Sequence, residues 1–240
     1  MEEFQQVAPV VSSLTDEKRV AFYKKTYTHL AMAVLLFVIV EWVFFQIEPL
    51  VNFAFSMTQG WRWMIMLGGF MLVTNYAEKM AHKNHDINQQ YLGLLLYVIA
   101  QAFIFIPLIG IAMMISENTV TGETNILYQA VILTLSLFTG LSAVVLITKK
   151  DFSFLRSILT MGFFIALGLI VAGLIFGFDL GLWFSGGMIV LASGSILYQT
   201  SNMVHKYSED QYVGASLGLF ASLMLLFWYI LSFLIRLSGD

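Results

Sequence analysis

Residues 125–176 read NILYQAVILTLSLFTGLSAVVLITKKDFSFLRSILTMGFFIALGLIVAGLIF. Two apolar runs, about 125–147 and 153–176, are parted by little more than Thr148-Lys149-Lys150-Asp151. Each run is about twenty residues long, enough at 1.5 Å per residue to cross roughly 30 Å of bilayer hydrocarbon. A backbone in hydrocarbon must satisfy its own hydrogen bonds, and neither run alternates apolar with polar residues as a barrel strand would. Both are therefore helices, and so short a connection makes them antiparallel neighbours. This stretch decides the fold class: an all-α integral membrane protein.

The same pattern recurs outward in both directions, at about 27–47, 61–80 and 90–115 and again at 182–204 and 212–235. That predicts seven spans, with residues 1–25 a polar N-terminal tail and 26–240 one transmembrane domain. Composition agrees. Hydrophobic residues make up 59% of the chain and charged residues 11%, where soluble domains carry about 25% charge. Thr15-Asp16-Glu17 has the chemistry of a helix start leading into the first span. Ser208-Glu209-Asp210-Gln211 reads as a capping box for the last helix. The tail is polar and no cleavage site follows the first apolar run, so a signal peptide is not expected. With no cysteine there is no disulfide and no Cys-ligated metal. No basic patch of the kind that tracks nucleic acid is present.

Charge placement sets the expected orientation. With the tail inside, Lys18, Arg19, Lys24, Lys25, Lys79, Lys83, Lys149, Lys150, Arg156 and Lys206 all fall on the cytoplasmic side. Of the 12 basic residues, only Arg62 and Arg236 remain outside. This asymmetry predicts a cytoplasmic N-terminus and a periplasmic C-terminus by the positive-inside rule. Acidic Glu117, Glu123 and Asp179 fall in the outer connections.

Lipid gives helices no hydrophobic reason to associate, so close packing depends on small residues. Gly214, Gly218 and Ser222 recur at fourfold spacing in the last span. Gly162/Ala166 and Gly173/Gly177 do so in the fifth, and Gly186, Gly187, Ala192, Ser193, Gly194 and Ser195 crowd the sixth. The reading is a seven-helix bundle with the last helix central and the sixth beside it in the interior.

Candidate chemistry is sparse. Gly214-Ala215-Ser216-Leu217-Gly218 matches G-x-S-x-G, yet no histidine follows to serve as base, so the five residues read as helix packing. The last span has no lysine for a retinal Schiff base. His82-Lys83-Asn84-His85 offers two histidines where zinc needs at least three protein ligands. No catalytic residue, cofactor or metal is expected. Asn75, Gln101, Gln199 and Asn202 are neutral and suited to bridging helices. Glu41, in the outer half of the first span, is a possible intramembrane polar site; a carboxylate there costs at least about 2.5 kcal/mol to insert. Its place close to the helix end favours a side chain that reaches the interface.

Ala192-Ser193-Gly194-Ser195-Ile196-Leu197-Tyr198-Gln199-Thr200-Ser201-Asn202-Met203, followed by Tyr212-Val213-Gly214-Ala215-Ser216-Leu217, resembles the Bax inhibitor (TMBIM) family. Thr148-Lys149-Lys150-Asp151-Phe152-Ser153-Phe154-Leu155 resembles the same connection in the bacterial YccA-like branch. The resemblance implies a seven-helix fold around the last helix. It also implies a non-enzymatic inner-membrane protein that binds the membrane AAA protease FtsH as a slowly degraded substrate and so restrains it. A loose cytosolic tail would suit engagement by such a protease. Other branches are proposed to leak calcium through two aspartates sharing a proton, one in each of the last two helices. Gln199 and Ser222 stand at those positions here, and Arg62 lies too near its helix end to answer them from the second span. An ion leak, calcium or proton, is the alternative function, resting on the fold and on Glu41.

Overall fold

A computed structural model describes residues 9–82, 86–118 and 125–239. Among the described residues Val11–Ser13 form a 3-10 turn, followed by eight α-helices. These are α1 (Asp16–Phe45), α2 (Glu48–Ser56), α3 (Arg62–Ala81), α4 (Ile87–Asn118), α5 (Ile126–Thr148), α6 (Leu155–Phe176), α7 (Gly181–His205) and α8 (Tyr212–Gly239). Among the described residues the sole β pairing is an isolated antiparallel bridge between Val10 and Ser208. Lys83, His85 and Glu123 lie outside the described residues, as does the Glu117 side chain.

Local chemistry accounts for the ends. Thr15 is the extended residue before α1, with Asp16 and Glu17 in the first turn, although the threonine side chain makes no capping bond. The Gln211 side chain reaches back to accept from the Ser208 N–H at 3.0 Å, half of the expected capping box; α8 itself begins one residue later. Gly177 does not pack a helix face. It closes α6 in the left-handed region at φ 72°, as a helix-ending glycine does.

α2 was not expected. At nine residues it is about 13 Å long, too short to span. Pro49 presets its first turn, and the Phe55 ring occupies the place where a side chain on Gly110 of α4 would sit, 2.7 Å from a Cβ. Among the described residues six helices are long and apolar enough to cross a membrane: α1, α4, α5, α6, α7 and α8. The expected second span forms as α3, 20 residues long. Asn75, Glu78 and Lys79 make its last turns too polar for that set.

α8 packs against α1, α3, α4, α5 and α7, and every residue from Val213 to Phe220 is buried. An aromatic block fixes its register. Phe105 of α4 stacks on Phe227 with centroids 5.6 Å apart and meets Trp228 edge-on at 4.9 Å. Phe37 of α1 sits edge-on to Phe105 at 5.4 Å. Such pairs contribute about 0.5–1.5 kcal/mol beyond burial, useful where lipid competes for every apolar contact.

α7 departs from expectation. Trp183 is 94% exposed and Val190 72%, so its first half lines the bundle's flank. One stripe of that half, Ser185, Met188 and Ala192, is buried, and enclosure is fullest at Thr200–Val204. Gly186 approaches α8 at Phe233 and Gly194 approaches α6 at Leu159, while Trp183 and Val190 face outward. α6 is more peripheral still, with Ala166 its single buried residue.

Candidate functional site

The motif on α7 sits where the helix meets the connections at the end of the bundle that carries the start of α1. Helical geometry spreads its side chains over three neighbours. Thr200, fully buried, faces α5, its Oγ1 lying 3.4 Å from the Ser142 hydroxyl. Ser201, 1% exposed, holds the α5–α6 connection. Its hydroxyl accepts from the Phe152 N–H at 2.9 Å and donates to Asp151 Oδ1 at 3.3 Å. Tyr198 lies on the outer side beneath the Lys206 ammonium, 5.5 Å from the ring centroid. The Asn202 carbonyl ends the helix by accepting from the Lys206 and Tyr207 N–H groups at 2.8 and 3.3 Å.

Gln199 faces α8. Its Oε1 lies 3.0 Å from where a Cβ on Gly218 would stand, so the glycine is a slot for the amide. One turn back along α7 and one turn on along α8, the Ser195 and Ser222 hydroxyls meet at 2.8 Å, and Ser222 also donates to the Gly218 carbonyl at 3.1 Å. Gly214 lets α8 approach α3: a Cβ there would lie 3.0 Å from the Ala81 carbonyl oxygen. The expected packing face Gly214, Gly218 and Ser222 thus meets two different helices. Among the described residues no carboxylate enters this seam, which is neutral and hydrogen-bonded at Ser195 and Ser222. Ser216 donates to the Val213 carbonyl at 2.7 Å, so that hydroxyl is engaged by its own helix.

The charges stand around the seam's edge. The backbone N–H of Ser153, 2.8 Å from Asp151 Oδ1, with Ser201 and His205 nearby, holds the Asp151 carboxyl below the usual carboxylate range. His205 Nε2 lies 3.1 Å from the Lys149 carbonyl. Tyr207 is half-buried and packs on His82, rings stacked at 5.9 Å, and the desolvation pushes its phenol up. His82 Nδ1 lies 2.7 Å from the Glu78 carbonyl. Its Nε2 lies 3.2 Å from the Tyr207 hydroxyl. Among the described residues no three acidic or histidine side chains cluster as a metal site would.

Two features were missed by sequence reasoning. The first is the fixed segment Pro9–Leu14. Val11, fully buried, donates its N–H to the Tyr207 carbonyl at 2.8 Å, and the Glu209 N–H donates to the Pro9 carbonyl at 3.3 Å. The only local signal was Val10-Val11 and Leu14 standing apolar in a polar tail. The second is the setting of Glu41. It is 6% exposed, and both carboxylate oxygens are buried without a hydrogen-bond partner. Instead of reaching the interface, the side chain turns into the bundle. At the opposite end Arg236 pairs with Asp179 at 2.6 Å, partly exposed, tying the end of α8 to the α6–α7 connection and holding Asp179 below its ordinary value.

Long apolar helices around a buried last helix, with a neutral polar seam against its neighbour, define a polytopic membrane protein without a recognisable catalytic constellation among the described residues. The model of the family described as inhibitor of apoptosis-promoting Bax1 matches residues 19–239, and the chain belongs to that family. It is 34% identical over 145 residues to the modulator of FtsH protease YccA of Escherichia coli, covering 59% of this chain and 66% of that one. An uncharacterized protein of Pseudomonas aeruginosa is 38% identical over 117 residues, 48% of this chain. The match spans 52% of the Pseudomonas protein, about half its length. Mouse protein lifeguard 4 is 28% identical over 232 residues, covering 93% of this chain and 88% of its own.

Proposed function

We propose that this chain is a seven-span inner-membrane protein, N-terminus cytoplasmic and C-terminus periplasmic, that binds and restrains an FtsH-type membrane protease without being an enzyme itself. The observation that carries the reading is the similarity to the FtsH modulator YccA, joined to a seam in which Gln199 and Ser222 are neutral and Ser222 is hydrogen-bonded to Ser195. A carboxylate pair needs two groups whose charges repel to share a proton; an amide and a hydroxyl supply neither charge. The seam does the work of helix packing, and a regulator that acts by being a resistant substrate needs a tightly packed bundle.

α3 is the seventh span in this reading. Its polar last turns lie at the cytoplasmic end, where Glu78 and Lys79 meet headgroups and water. Lys18, Arg19, Lys149, Lys150 and Lys206 gather at the same end, as the positive-inside rule requires. Affinity purification from native membranes, followed by mass spectrometry, tests the partner: the protease and its associated subunits are enriched with the tagged chain. Their consistent absence overturns the reading.

One observation favours a second reading, an ion leak. Glu41 is buried with both oxygens unpartnered, and an intramembrane carboxylate in that state is a candidate ion or proton site. In liposomes a pH-dependent calcium or proton flux that disappears in Glu41→Gln would support it; no flux above protein-free vesicles removes it.

A further inference from the structure

We infer that Pro9–Leu14 is a latch, docked across the α7–α8 connection, and that its opening is the step that releases these residues for an unfolding protease to pull. The inference rests on the protease reading above and adds its regulation. A protease that pulls on a loose end requires a segment free of backbone hydrogen bonds and buried side chains. Residues 9–14 have both. The bridge between Val10 and Ser208 is flanked by two backbone bonds, from Val11 to Tyr207 and from Glu209 to Pro9. The Ser12 hydroxyl donates to the His205 carbonyl at 3.4 Å.

Side chains set the latch. Val11 is fully enclosed and Leu14 is 8% exposed. The Arg19 guanidinium donates to the Ser12 carbonyl at 2.7 Å, and Lys18 reaches Glu209 at 3.4 Å. The connection that receives the latch is itself anchored through Tyr207 on His82 and through Gln211 on Ser208. The latch therefore reads the state of the motif-bearing end of α7: it closes only on a correctly seated α7–α8 turn. The neighbouring ion pair from Lys18 of α1 to Glu209 is exposed and contributes little, so Val11 and Leu14 supply most of the closure, and local opening needs far less free energy than unfolding the bundle.

The chain has no cysteine, which makes a clean test available. Residues facing each other in an antiparallel bridge lie within disulfide reach, so Val10→Cys/Ser208→Cys locks the latch under oxidation and frees it under reduction. Independently of any protease, a single Val11→Cys in the full chain in vesicles reports opening through maleimide labelling. We expect it to label about tenfold more slowly than Val10→Cys. Equal rates mean the latch is open and overturn the proposal. In vesicles holding purified FtsH-type protease and ATP, the oxidised double variant is degraded several-fold more slowly than the same protein reduced, and Val11→Asp is degraded faster than wild type. Equal degradation of oxidised and reduced forms overturns the proposal even where the protease reading stands. Slow Val11→Cys labelling with no ATP-dependent degradation of any form leaves a closed latch but overturns its role, and the protease reading falls with it.

Discussion

Ser201 is the residue through which two distant stretches of sequence meet. It accepts from the Phe152 N–H and donates to Asp151, so it ties the α5–α6 connection to α7. Ser201→Ala leaves that N–H without its partner, and we expect a loss of about 1 kcal/mol in unfolding free energy, measured by denaturation in detergent. Asp151 contributes a pH term of definite sign. Its folded pKa is lowered, so its stabilisation is full above the unfolded carboxylate pKa of about 3.9 and is lost as pH falls through the folded value. Unfolding measured from pH 6 downward shows this acid-side loss, and Asp151→Asn flattens it. At this scale the sequence was informative by halves. The connection and the α7 motif were each recognisable as family features, but their hydrogen-bonded contact joins residues 50 positions apart and has no local signature. Glu41 shows the opposite failure: position in the helix pointed to the interface, and only the packing around it turned the side chain inward.

Among elements, α8 carries the strongest test. Gly214 faces a backbone carbonyl, whereas Gly218 faces the end of a flexible glutamine side chain. A methyl at Gly218 is absorbed by movement of Gln199, while one at Gly214 pushes α8 off α3. Gly214→Ala is therefore expected to cost more than Gly218→Ala, about 1–3 kcal/mol against less than about 1, read as the difference in denaturation midpoint. Reversal of that order would contradict the assigned contacts. Lys149 ends α5 at φ 51°, a left-handed conformation that costs an L-residue roughly 1–2 kcal/mol. Lys149→Gly should raise stability by about 0.5 kcal/mol once glycine's greater unfolded freedom is counted. Long helices were legible because apolar length suffices to find them, and a glycine ladder located the central one. α2 was not legible: nine residues leave no spanning signal, and its amphipathic pattern is too brief to separate from a loop. The interior placement expected of α7 failed because small residues mark close contact on one face without saying how much of the circumference is covered.

For the whole molecule, topology precedes function. The seven crossings proposed here would put the two ends in opposite compartments, and reporter fusions after residues 25 and 239 should then report cytoplasm and periplasm respectively. Both ends in one compartment would remove α3 as a span and with it the cytoplasmic placement of the latch. The tail ahead of Thr15 was read as loose because its composition is polar. Val11 and Leu14 are enough to dock Pro9–Leu14. The central claim, that this bundle restrains a membrane protease, is tested most directly by the rate at which a purified FtsH-type protease, co-reconstituted with the chain, degrades a reference membrane substrate. The account predicts a rate that falls and saturates as the chain is added, while the chain itself disappears slowly. A substrate rate unchanged at every ratio would contradict it.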